Sequence, residues 1–109
     1  MIASEEDLQN ALAVKDVVVV DWMASWCRKC IYLKPKLEKM FHEEFADVPL
    51  VFVDVNKVPG SVVYSNGIRK MPTIVVYRGG KKVAEHIAAE GGLHALEKVR
   101  EMMKLTLMD

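Results

Sequence analysis

The chain has 109 residues, of which 51% are hydrophobic, enough to build the core of one domain. Its 15 basic and 15 acidic side chains give a formal net charge of zero, which argues against binding nucleic acid or an anionic membrane, because both need a basic excess. No apolar run approaches the roughly 20 residues that span a bilayer. We therefore expect a single domain over residues 1–109, with no nucleic acid or membrane among its partners.

The first two predicted elements are a capped helix and a buried strand. Ser4, followed by three acidic residues and then by Leu8 and Leu12, predicts a helix of about ten residues with Ser4 as its N-cap. Residues 17–20 are four consecutive valines, which is typical of a strand buried on both faces. This strand is expected to end at Asp21.

A long helix follows, starting at about Cys27. Its apolar residues recur at intervals of three and four: Leu33, Leu37, Met40 or Phe41, and Phe45. Pro35 lies inside this pattern and should bend the helix, because it removes one backbone hydrogen bond.

The second half of the chain predicts a strand at residues 50–55, a short helix at 58–64 and a hairpin of strands 73–77 and 82–87. A final helix follows, with an apolar face of Leu93, Leu96, Val99, Met103 and Leu107. The fold class is therefore α/β, a central mixed sheet with helices on both faces. Strands separated by helices should run parallel, and the hairpin should add one antiparallel strand.

Cys27 and Cys30 are the only cysteines in the sequence. The loop between them is too small to restrain the unfolded chain, so stabilisation is a poor reason for the pair. A zinc site would need ligands from His42, His86 and His94, whose positions lack the usual H-x₃₋₅-H spacing. A C-x-x-C spacing beside a βαβ pattern therefore favours a redox pair over a metal site.

The predicted helix start gives the two thiols different roles. Unpaired N–H groups and the positive dipole end favour a thiolate at Cys27, whereas Cys30 lies about one turn deeper. We expect Cys27 to be the exposed nucleophile and Cys30 the shielded resolving thiol. Asp21 is the candidate proton acceptor for Cys30; the alternative is an ordinary carboxylate that faces water.

Arg28 and Lys29 leave three interpretations open. As neighbours of Cys27 they would tune its ionisation, stabilising the thiolate and hence the reduced protein. If both side chains point into water, screening leaves only a small effect. In the third interpretation the two cations select an acidic partner surface.

These residues resemble the thioredoxin family along nearly the whole chain. Residues 21–30, DWMASWCRKC, resemble its strand-to-active-site signature, and Pro35 falls where the family kinks its active-site helix. Residues 67–73, GIRKMPT, resemble the segment with the family's cis-proline. The WCRKC centre is similar to that of the WCRKC thioredoxins of plant and algal chloroplasts. Because thioredoxin is also the standard example of C-x-x-C beside βαβ, the two arguments are not independent.

The resemblance implies a thioredoxin fold and a thiol–disulfide oxidoreductase that reduces protein disulfides through Cys27 and Cys30. The implied partners are disulfide-containing proteins and a reductase or thiol donor. We expect no cofactor, no metal and a monomer. The implied location is the chloroplast stroma, with a transit peptide missing from this chain. A more oxidising disulfide exchanger is one alternative, and a non-catalytic docking module is a weaker one, because docking needs no nucleophile.

The resemblance also implies roles for residues outside the cysteine pair. Asp21 becomes the buried carboxylate that assists the second cysteine, and Trp26 flanks the site. Pro72 is the cis-proline that faces the sulfurs, and Met71 offers backbone groups to an extended substrate, as in β-augmentation.

The sequence departs from the family pattern at three places. Arg28 and Lys29 replace the Gly-Pro of the family, and Ala88 stands in a loop that substrates approach, where the family often has glycine. Some members carry a lysine near the buried carboxylate on the strand where this chain has Phe52. We therefore expect Asp21 to lack one influence on its pKa.

In the first of the three interpretations above, replacing Arg28 and Lys29 by Gly and Pro is expected to lower the reduction potential of the cysteine pair. Loss of two cations would destabilise the Cys27 thiolate and with it the reduced protein. Equilibration of both proteins with glutathione redox buffers measures the change. An unchanged or higher potential would contradict the thiolate-stabilising interpretation.

Overall fold

The computed structural model describes residues 1–108, and these form four strands and four helices in the predicted order. The elements are α1 (Glu5–Leu12), β1 (Val17–Met23), α2 (Arg28–Glu44), β2 (Leu50–Asp54), α3 (Gly60–Ser65), β3 (Thr73–Arg78), β4 (Lys81–Ile87) and α4 (Gly92–Leu107). Their bounds lie within about two residues of the sequence-based expectations, the usual uncertainty at element ends.

The four strands form one mixed sheet in the order β2-β1-β3-β4. β1 is parallel to β2 and antiparallel to β3, and β3 is antiparallel to β4. The mixed sheet is confirmed, but the prediction that all strands separated by helices run parallel is wrong for β3. The six residues of α3 span only about 9 Å, too little to carry the chain back along the sheet. β3 therefore begins at the end of the sheet where β1 and β2 finish.

Apolar side chains cover both faces of this sheet. Val18, Val20 and Trp22 of β1 point to the face covered by α1 and α3, whereas Val19 points to the face covered by α2 and α4. All four are fully buried. Because side chains alternate along a strand, Asp21 points to the same face as Val19, toward α2.

The helices α1 and α2 begin at the residues where the sequence predicts a helix start. Ser4 caps α1, and its hydroxyl accepts a hydrogen bond of 3.1 Å from the Asp7 N–H. Cys27 is the N-cap of α2, and Pro35 lies inside this helix. Among residues 1–108, no helix is both long enough and apolar enough to cross a bilayer.

The predicted apolar face of α4 is partly wrong. Leu93 and Leu107 are 72% and 42% exposed, and Leu96 is half-buried. The buried residues are Val99 and Met103, as predicted, and Ala95, which was not predicted. These three are spaced by four residues and lie on one face of the helix. Ala95 was not predicted because its side chain is small and only weakly hydrophobic, but it packs in the core on that face.

We expect Leu37→Ala to lower the free energy of unfolding by about 2–5 kcal/mol, because Leu37 is fully buried and the substitution leaves a cavity. Leu93→Ala is the matched control, since the same atoms are removed from an exposed position, and its cost should be below about 0.5 kcal/mol. Urea denaturation measures both. Equal costs would contradict the observed orientation of α4.

Candidate active site

The two cysteines lie at the N-terminus of α2, just beyond the end of β1. The Cys27 sulfur accepts a hydrogen bond from the Cys30 N–H at 3.3 Å, which satisfies one of the free N–H groups of the first helical turn. The Cys27 thiol also donates to the Met71 carbonyl oxygen, at 3.9 Å. Both cysteines are free thiols, with Cys27 half-buried and Cys30 buried. The accessible sulfur is therefore that of Cys27.

The Cys30 thiol is held in its protonated form. Burial, and next its hydrogen bond with Cys27, raise the pKa of Cys30 to about 12. At neutral pH this thiol keeps its proton, so a base must remove the proton before Cys30 can attack a disulfide.

Asp21 is buried beneath the cysteines and has no hydrogen-bond donor for either carboxylate oxygen within residues 1–108. Burial raises the pKa of Asp21 from 3.8 to about 7, and the nearby Lys34 acts in the opposite direction. The charge of Asp21 in turn contributes to the raised pKa of Cys30, so the two groups interact directly through space. The alternative in which Asp21 faces water is wrong.

Lys34 is the charged neighbour of Asp21 that the sequence argument missed. Its ammonium nitrogen lies 4.8 Å from the centroid of the Phe52 ring, and Phe52 pairs with Asp21 between β1 and β2. The expectation that this influence on Asp21 is missing is therefore wrong, because α2 supplies the cation instead of β2. Lys34 follows Cys30 by four residues, so helical periodicity was the available signal.

The start of β3 borders the cysteine pair on the other side. The Met71–Pro72 peptide bond is cis, and Pro72 is buried. The Ala88 N–H donates to the Pro72 carbonyl oxygen at 2.9 Å, and the Ala88 side chain is fully buried. The loop after β4 therefore adjoins the proline through its backbone, and the Ala88 side chain is not accessible to a substrate.

The remaining predicted site residues are exposed. The Trp26 side chain is 67% exposed. Arg28 is also exposed, and the exposed Lys29 reaches across the site, where its ammonium group donates to the Ala89 carbonyl oxygen at 2.5 Å. The exposure of Arg28 matches the interpretation in which the cations face water, whereas the Lys29 ammonium group is bound to the protein backbone.

The three histidines were the candidates for completing a zinc site with the cysteines. His42 and His94 are exposed, and His86 pairs with Glu90 at 2.9 Å. In the part of the chain that the structure describes, no group of three or more His, Cys, Asp or Glu side chains is arranged to hold a metal ion. The zinc alternative therefore gains no support from the geometry.

The chain is similar in sequence and in structure to proteins of one known family. The family model described as Thioredoxin matches residues 1–104. Two Arabidopsis thaliana proteins, "Thioredoxin-like 3-2, chloroplastic" and "Thioredoxin-like 3-1, chloroplastic", are each 44% identical to this chain, over 92% and 88% of its length. The chain spans about half of their length, 52% and 46%. The solved structure of Fasciola hepatica thioredoxin is 30% identical, with a TM-score of 0.79 over 94% of this chain and 93% of that one.

Asp21→Asn is expected to stabilise the protein at pH 8 by about 3–4 kcal/mol and to have little effect near pH 4. Because the pKa of Asp21 is raised to about 7, the folded protein keeps a proton that the unfolded chain releases above about pH 4. The stability that this group contributes is full below pH 4 and is lost as the pH rises through 7. Urea denaturation at pH 4 and pH 8 measures the difference.

Two control variants accompany this measurement. Asp47→Asn changes an exposed carboxylate and should shift stability by less than about 0.5 kcal/mol at either pH. Lys34→Met removes the cation that favours ionised Asp21, so it should destabilise the protein more at pH 8 than at pH 4. A stabilisation by Asp21→Asn that does not depend on pH would contradict the assignment.

Proposed function

The chain belongs to the thioredoxin family, and on that premise we propose that it reduces disulfide bonds of target proteins by thiol–disulfide exchange. One observation carries the proposal: a half-exposed free thiol at the N-terminus of a long helix, with a buried free thiol within its first turn. This arrangement gives one sulfur access to a target and reserves the other for the second step.

The first step is an attack by the Cys27 thiolate on one sulfur of the target disulfide. A bond forms between Cys27 and that sulfur, and the target's S–S bond breaks. The second target sulfur leaves as a thiolate and takes up a proton from the solvent. The product is a mixed disulfide between protein and target.

The second step releases the target. Cys30 transfers its proton to ionised Asp21, and the Cys30 thiolate attacks the Cys27 sulfur of the mixed disulfide. The Cys27–Cys30 disulfide forms, and the target sulfur leaves as a thiolate. Two electrons have then passed from the cysteine pair to the target, and an external thiol donor must reduce the pair again. With a pKa of about 7, Asp21 accepts a proton readily at neutral pH.

The backbone at Met71 is the proposed docking edge for the target. Its carbonyl oxygen lies 3.9 Å from the Cys27 sulfur, so an extended target segment alongside it brings its disulfide to the nucleophile. Backbone pairing gives affinity without reading side chains, which suits a protein that acts on several targets. The exposed Trp26 ring offers apolar contact beside the same sulfur.

Electron flow toward the target is the proposed direction. Arg28 and Lys29 are both exposed, so solvent screens their charges. The Lys29 ammonium group is also bound to the Ala89 carbonyl oxygen. This supports a reductase over the more oxidising exchanger, because that alternative depends on a strong effect of the two cations on the pair.

We also propose a chloroplast location, in the stroma. Its support is the similarity to two Arabidopsis thaliana proteins whose names describe them as chloroplastic. Immunodetection in fractionated chloroplasts tests it, and a signal confined to other compartments would contradict it.

Cys27→Ser is expected to lower insulin reduction in the presence of dithiothreitol to the rate of dithiothreitol alone. Cys30→Ser, reduced beforehand and then freed of dithiothreitol, should stop after the first step with insulin. Cys30→Ser should therefore accumulate a mixed disulfide, which non-reducing electrophoresis and mass spectrometry detect. Ser61→Ala, a change at an exposed position on α3, is the control and should keep the full rate. If Cys27→Ser and the unmodified protein react at equal rates, only the docking module remains.

A further inference from the structure

Four basic side chains border Cys27, and all are exposed: Arg28, Lys29, Arg69 and Lys70. The first two follow Cys27 in the chain, and the other two immediately precede Met71, whose carbonyl oxygen lies 3.9 Å from the Cys27 sulfur. We call these four residues the basic collar. Within residues 1–108, no member of the basic collar forms an ion pair.

The cations elsewhere in the fold show a different arrangement. Arg100 pairs with Glu44 at 2.7 Å and also with Glu97, and Lys82 pairs with Glu85 at 2.8 Å. The chain as a whole has a formal net charge of zero. A neutral protein therefore presents an uncompensated positive surface around its reactive sulfur.

Among residues 1–108, the acidic residues Asp54 and Glu90 at this end of the sheet form no ion pair with the basic collar. Asp54, at the end of β2, accepts a hydrogen bond of 2.9 Å from the Asn56 N–H. Glu90, after β4, pairs with His86 at 2.9 Å. Both carboxylates are thus engaged with neighbours in their own loops.

Hydrogen bonds hold one atom of Lys29 and one atom of Lys70 in place near the Cys27 sulfur. The Lys70 carbonyl oxygen accepts a hydrogen bond of 2.5 Å from the Thr73 hydroxyl, which holds the backbone before the proline. The Lys29 ammonium group is bound to the Ala89 carbonyl oxygen. A target then meets a Lys29 charge that is held in place and a Lys70 residue whose backbone is held in place, and preorganisation of this kind lowers the ordering cost of binding.

We propose that the basic collar selects target disulfides that are flanked by acidic residues. A target segment that lies along Met71 passes Arg69 and Lys70 on one side of the attacked cysteine and Arg28 on the other. Aspartate or glutamate within about two positions of that cysteine meets these charges. The inference rests on the proposed disulfide reduction and specifies its substrate class.

The test uses three peptides of equal length, each closed by one internal disulfide and flanked by glutamate, serine or lysine. Pre-reduced protein, freed of other thiols, is mixed with each peptide, the reaction is quenched with acid, and chromatography gives the second-order rate constant. Each constant is divided by that for dithiothreitol, a small dithiol that also attacks as a thiolate but has no cationic surface. The division removes the effect of the flanking residues on the disulfide itself.

We expect the corrected rate for the glutamate peptide to exceed that for the serine peptide about tenfold in low salt, with the lysine peptide slowest. In 0.5 M NaCl the Debye length falls to about 4 Å, and the preference should shrink to within about twofold. Equal corrected rates for the three peptides in low salt would overturn the proposal. Failure to reduce any of them would instead overturn the proposed function itself.

A pair of double variants locates the effect. Arg69→Gln with Lys70→Gln should reduce the glutamate-to-serine ratio to about threefold or less. Lys15→Gln with Lys81→Gln removes the same charge from exposed positions at the opposite end of the sheet, and it should keep both the tenfold ratio and the basal rate. An undiminished ratio in the first double variant, or an equal loss in the second, would show that the basic collar is not the selecting surface.

Discussion

The carboxyl group of Asp21, buried near the end of the central strand without a hydrogen-bond donor among residues 1–108, is the constraint on which the site depends. Burying an unpaired charge is costly, so burial favours the protonated form of Asp21 and raises its pKa to about 7. The same burial holds the proton on Cys30. The same apolar environment therefore keeps Cys30 protonated and gives Asp21 a pKa at which it can accept the proton of Cys30.

The topology of the sheet brings the other half of the site to this carboxyl group. Because α3 is too short for a full crossover, β3 enters the sheet at the end where β1 and β2 leave it. Met71 and Pro72 thereby meet the N-terminus of α2, although more than forty residues separate them from Cys27 along the chain. A parallel β3 would have placed this docking edge at the opposite end.

The sequence predicted those features whose signal is local. The order of elements follows from residue periodicity, and the distinct roles of Cys27 and Cys30 follow from their position at a helix start. The direction of β3, the contact of Lys34 with Phe52 and the bond from Lys29 to Ala89 were not predicted. The first two had signals in the sequence, namely the short predicted helix before β3 and the four-residue spacing of Cys30 and Lys34. The bond from Lys29 to Ala89 joins distant segments through a long side chain, and residue type and spacing do not indicate it.

Exposed cations near Cys27 act differently on the cysteine sulfur and on an approaching partner. An exposed cation beside Cys27 is screened by water and salt, so its influence on the cysteine pair is limited. The same exposure leaves Arg28, Arg69 and Lys70 available to an approaching molecule, whose encounter rate responds to the summed field of all of them. Cations that form no ion pair within residues 1–108 thus act mainly in recognition, and the two basic residues between the cysteines belong to a larger surface that includes the segment before Pro72.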